Sequence, residues 1–129
     1  MNSILNLVII SALFLFAQQC GKEDVSKTSE GTIKDADGKP VPACVQTKIA
    51  EIAEEDVWNP PAKVYSYRYK EEAVYFIPQR CCDFPSQLLN ENCETICMPD
   101  GGFSGSGDGA CPEFFTERTA EFLIWEDKR

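Results

Sequence analysis

The chain predicts a small α+β domain stapled by disulfides: an antiparallel sheet of hairpins with one main N-terminal helix packed on it. Three observations point there. One stretch carries a helical apolar stripe, two runs alternate with the period of a strand, and six cysteines follow position 43 in a chain of 129 residues. No internal repeat or second folded unit is visible.

The helix is read over Ala43 to Ala53, where Val45, Ile49 and Ile52 fall at i, i+4 and i+7. Cys44 sits where it can pin the helix start. Glu54-Glu55-Asp56 closes the pattern, and acids there oppose the helix dipole, so this end is expected to be poorly capped. Asn59-Pro60-Pro61 forbids helix and sets an extended connection.

From Ala62 to Tyr69 the residues alternate, with Tyr65, Tyr67 and Tyr69 on one face and Val64, Ser66 and Arg68 on the other. Lys70-Glu71-Glu72 is a polar break and Ala73 to Ile77 a second strand, completing a hairpin. Leu88-Leu89, a turn through Asn90-Glu91-Asn92, and Cys93 to Met98 make a shorter one. Asp100 to Gly109 holds five glycines and is loop. Pro112 opens a short helix through Arg118, and Phe122 to Trp125 is a closing apolar strand.

The N-terminal run Ile4 to Ala17 is apolar except for Asn6 and Ser11. As a helix it spans about 21 Å, short of the roughly 30 Å hydrocarbon core, so residues 1–19 read as a signal peptide. Ala17-Gln18-Gln19-Cys20 resembles a bacterial lipobox, which makes Cys20 the lipidation site; a cut after Ala17, freeing a soluble protein, is the rival reading. Residues 20–42 then carry the anchor cysteine and a flexible tether rich in Lys, Asp, Glu, Ser, Thr and Gly. Residues 43–129 form the cysteine-rich domain, close to the size at which a core alone is marginal.

Seven cysteines divide as one plus six, with Cys44, Cys81, Cys82, Cys93, Cys97 and Cys111 expected in three disulfides. Adjacent Cys81 and Cys82 are expected to go to different partners. An all-cysteine zinc site is the alternative, and an oxidising compartment disfavours it. The net charge of −9 argues against nucleic acid and against adhesion to anionic headgroups, so membrane attachment is expected through the lipid anchor only. The chain has no histidine, which removes Ser-His-Asp and Cys-His sites and the commonest catalytic zinc arrangements.

The glycine-rich loop lacks a P-loop Lys-Ser/Thr pair. Asp100, Asp108 and Glu113 offer hard oxygens for calcium, but their spacing misses the EF-hand pattern. A disulfide-bounded loop with no metal is therefore expected, and no cofactor. Asp83, Asp108 and Glu113 read as surface charge rather than a catalytic carboxylate pair.

Cys81-Cys82-Asp83, the run Asp100 to Phe114, Val57-Trp58-Asn59-Pro60-Pro61-Ala62 and Leu123-Ile124-Trp125-Glu126 together resemble a family of small cysteine-rich bacterial envelope proteins, mostly lipoproteins, defined only as a domain of unknown function. The resemblance covers about residues 43–129. It implies an envelope location and brings no activity or functional residue. Lys22, Glu23 and Asp24 after Cys20 look like the export signal of surface-displayed lipoproteins of some Gram-negative bacteria, so an outer-membrane lipoprotein facing the periplasm or the cell surface is expected.

The expected function is a non-enzymatic, lipid-anchored binding module for an envelope or extracellular protein or glycan. Tyr65, Tyr67, Tyr69 and Phe103 are the candidate contact surface, the other reading of the tyrosine row being core with its hydroxyls at the edge. The alternative is an inhibitor of a secreted or envelope hydrolase, with Asp100–Ala110 as the inserting loop.

Overall fold

The computed structural model describes residues 32–81 and 83–129. Their elements run α1 (Ala43–Glu54), β1 (Lys63–Tyr69), β2 (Glu72–Ile77), β3 (Gln87–Leu89), β4 (Thr95–Cys97), α2 (Phe114–Glu117) and β5 (Thr119–Glu126). The strands form one antiparallel sheet in the order β4-β3-β2-β1-β5. The fold is α+β, as the sequence predicts. The expected signal peptide over residues 1–19, the expected lipidation site Cys20 and the cysteine Cys82 fall outside the described residues.

The stripe of α1 buries Val45, Ile49 and Ile52 against Val64, Tyr75, Ile77 and Leu89 on one face of the sheet. Pro42 gives no side-chain cap, so the helix start is held by its neighbours: the Gln46 amide donates to the Val41 carbonyl at 2.7 Å, and Cys44 is bonded to Cys93. The far end is capped after all. Arg129, from the chain terminus, donates to the carbonyls of Glu55 (3.1 Å) and Ile52 (3.5 Å), and it is aimed by the nearly enclosed carboxylate of Asp127 at 2.7 Å. A guanidinium is the charge that the C-terminal end of a helix dipole favours.

The structured domain begins before position 43. Residues 32–42, expected as tether, turn back on themselves, with the Val41 amide on the Ile33 carbonyl at 2.8 Å and the Asp35 carboxylate accepting the Asp37 and Lys39 amides. Val41 is buried in the α1 cluster, Ser66 accepts the Ala36 amide, and Arg68 pairs with Asp37. Two apolar residues and one Asx turn suffice to order a segment whose composition is that of a linker.

The β1–β2 hairpin turns through Lys70 and Glu71, both at positive φ, in the two-residue geometry that matches strand twist. Its second face is also covered. Phe114, at the start of α2, is fully enclosed among the rings of Tyr67, Tyr69 and Phe76 at 5.6, 5.4 and 5.3 Å. The expected helix from Pro112 is shorter, because residues 111–113 form a turn that lowers Phe114 onto the sheet. Cys97–Cys111 fastens this cover to β4, and Cys81 is disulfide-bonded as well. Strand β5 is longer than expected and lies at the sheet edge, with Phe122 and Leu123 exposed.

Candidate functional site

The tyrosine row expected as a contact surface is largely core. Tyr67 and Tyr69 are buried and Tyr65 is half-buried, because the Phe114 cover closes the face they occupy. The Tyr67 hydroxyl donates to Glu121 at 2.7 Å, and burial first, then this carboxylate, raises its pKa. Phe103 is placed elsewhere, at the tip of the glycine-rich loop, and is 96% exposed.

That loop is fixed in spite of its glycines. The amide of Gly101 donates to the Gly105 carbonyl, that of Gly107 to Gly101, and that of Asp108 to Met98. Both Asp108 carboxylate oxygens are taken, one by the Met98 amide at 3.0 Å and one by the Ala110 amide at 2.9 Å. A Cβ on Gly107 would meet the Met98 carbonyl oxygen at 1.8 Å, so the chain passes where only glycine fits. Asp100, Asp108 and Glu113 do not converge on a metal site; no group of three or more such side chains does so among the described residues.

The structure gathers a different constellation where three connections meet. Trp58 lies in the segment leaving α1, Arg80 follows β2, and Phe84 precedes β3. The Arg80 guanidinium stands over both rings, its carbon 4.8 Å from the Trp58 centroid and 4.0 Å from that of Phe84. Glu55, just past the end of α1, receives the Trp58 indole N–H and the Arg80 guanidinium, each at 2.9 Å. The indole hydrogen bond first, and then the charge of Arg80, hold the Glu55 carboxyl below its ordinary value. The clamp residues line a cleft of about 260 Å³ together with the aliphatic Ile52, Ile77, Pro78 and Pro85 and the polar Lys48, Glu51 and Gln87.

The cleft offers aromatic and aliphatic walls, the guanidinium of Arg80, the ammonium of Lys48 and the carboxylates of Glu51 and Glu55. The buried serines are engaged elsewhere: Ser66 with the Ala36 amide and Ser86 with the backbone of Asp100. The glycine-rich loop borders the same region, since Gly101 approaches Gln79 and Phe84, and Gly102 approaches Pro85. Sequence reasoning missed the clamp because Trp58, Arg80 and Phe84 belong to no single periodic element. The available signal was their neighbourhood, next to Asn59-Pro60-Pro61 and on either side of Cys81-Cys82.

The chain belongs to the family described as Domain of unknown function (DUF6970), which matches residues 50–127 and so takes in the whole clamp. No curated protein and no solved structure matches it.

Proposed function

We propose that this protein is a non-enzymatic binding module of the bacterial cell envelope, tethered through lipid on Cys20, that presents the Trp58–Arg80–Phe84 cleft to a protein or glycan. The observation carrying this reading is the clamp itself. An aromatic that is half exposed, 49% for Phe84, stacked on an arginine at the mouth of a cleft is the kind of anchor that dominates interface energetics. The absence of histidine from the sequence supports a binding role over a catalytic one.

Two measurements test it. Full-length protein carrying Phe84→Ala or Arg80→Gln should lose binding to separated envelope protein or glycan fractions that the unaltered chain retains; equal retention by all three removes the cleft from the reading. Cys20→Ala should move the protein out of the membrane fraction and abolish labelling by a fatty-acid analogue. An unlabelled chain beginning at Gln18 refutes the anchor.

A second reading, inhibition of a secreted or envelope hydrolase, is favoured by one observation: Phe103 stands exposed on a loop that backbone hydrogen bonds and Cys97–Cys111 hold in place. Preorganisation is what an inserting loop requires. Inhibition of envelope proteases or lysozymes that is lost in Phe103→Ala would establish it, and inhibition of none would dismiss it.

A further inference from the structure

We propose that the cleft beside Arg80 receives the free carboxylate end of a peptide whose last side chain is aliphatic. The inference rests on the binding-module reading and names the ligand class of the same site.

The first argument is the state of Arg80. The guanidinium carbon stands over the Trp58 and Phe84 rings at 4.8 and 4.0 Å, so its flat surface is engaged by aromatics and its N–H edge is the part suited to a ligand. Of five N–H donors, one goes to Glu55; the others have no hydrogen-bond partner among the described residues. A guanidinium edge offers paired, parallel donors whose complement is a carboxylate. Stacking also fixes the plane before a ligand arrives, so less rotamer freedom is lost on binding.

The second argument is charge. The cleft lining is mixed, with Glu51 and Glu55 beside Lys48 and Arg80; Glu55 is already paired with Arg80, and Lys48, which has no ion-pair partner among the described residues, gives an incoming anion a second cation. The chain as a whole carries −9, so long-range attraction does not deliver such a ligand. Recognition has to be short-range and geometric, which is what a fixed fork provides.

The third argument is the apolar part of the lining. Ile52, Ile77, Pro78 and Pro85 are aliphatic. An aliphatic side chain buries well against them, and these four residues offer the hydroxyls of an acidic sugar no side-chain hydrogen bond. The volume of about 260 Å³ suits one or two residues, not a long segment.

The test uses the full-length protein in detergent, with the Trp58 indole N–H followed by NMR. The probes are acetyl-Ala-Ala-Leu with a free carboxylate, the same peptide as its amide, and glucuronate. The free acid is expected to shift the resonance saturably and to bind about tenfold tighter than the amide, the scale of one charge-assisted hydrogen bond. Arg80→Gln should erase that difference, and Arg80→Lys, which keeps charge but not the fork, should erase most of it. Unchanged thermal midpoints in both variants confirm that folding is not the cause. Equal affinity for acid and amide, no saturation by either at millimolar concentration, or preference for glucuronate overturns the proposal. Where the peptide fails and envelope binding still requires Arg80, the ligand class is wrong and the cleft stands; where neither depends on Arg80, both readings fall.

Discussion

Phe114 and Phe103 lie eleven positions apart and should behave as opposites. Phe114 is fully enclosed and touches the rings of Tyr67, Tyr69, Phe76 and Phe115, the last at 5.1 Å. Burying such a side chain contributes about 1.5–3 kcal/mol, and the cavity left by Phe114→Ala brings the expected loss to about 3–5 kcal/mol. Against a net stability of about 5–15 kcal/mol for a domain, that is a large fraction, and it should lower the melting temperature by about 12 °C or more. Phe103 is 96% exposed, so Phe103→Ala should leave stability within about 0.5 kcal/mol of the parent. Urea denaturation of the oxidised protein measures both. A Phe114→Ala loss below about 1.5 kcal/mol, or a comparable loss in Phe103→Ala, would refute the claim that Phe114 closes the second face.

Removing Cys44–Cys93 by paired alanine substitution should cost about 4 kcal/mol from a separation of 49 residues, against about 3 kcal/mol of loop entropy for Cys97–Cys111 with a separation of 14; denaturation of both double variants gives the order. The second pair also lies in the core, so its total loss should exceed the entropic share. Replacing Lys70-Glu71 by Asn-Gly relieves two positive-φ residues and should stabilise the hairpin by about 1 kcal/mol, read as a higher urea midpoint. Arg129, chiefly through its side-chain hydrogen bonds, holds the Asp127 carboxyl below its ordinary value. A lowered folded-state pKa means that this contribution is complete above the ordinary range of about 4 and disappears as pH falls through the folded value, so Asp127→Asn should flatten the acid limb of a stability-against-pH curve.

Local periodicity was legible. The spacing of Val45, Ile49 and Ile52 identified α1, and the alternation through Tyr69 and the run to Ile77 identified the first hairpin. What periodicity cannot report is which partner arrives from a distance. Alternation separated Tyr65, Tyr67 and Tyr69 from Val64 and Ser66, yet did not tell which face is covered, because Phe114 comes from 45 positions beyond Tyr69 and no local pattern announces it. The cap of α1 was illegible for the same reason: its donor is Arg129, 74 positions from Glu55. Residues 32–42 were misread through composition, where a single Asx turn outweighs a linker-like content.

The candidate site is the extreme case of this rule. Trp58, Arg80 and Phe84 each sit in a connection, where sequence carries no period, and nothing about one of them predicts the others. They meet because α1, β2 and β3 each end or begin at the same corner of the sheet, so the fold first fixes three chain ends and the side chains then share the space between them. The energetic order follows. The core clusters and the disulfides determine where the connections lie, and the clamp, being at the surface, adds little to stability. Substitutions at Arg80 and Phe84 should therefore alter binding while leaving the denaturation midpoint nearly unchanged, and the reverse should hold for Phe114. If Arg80→Gln instead unfolded the domain, the clamp would be a structural brace and the cleft would lose its claim to function.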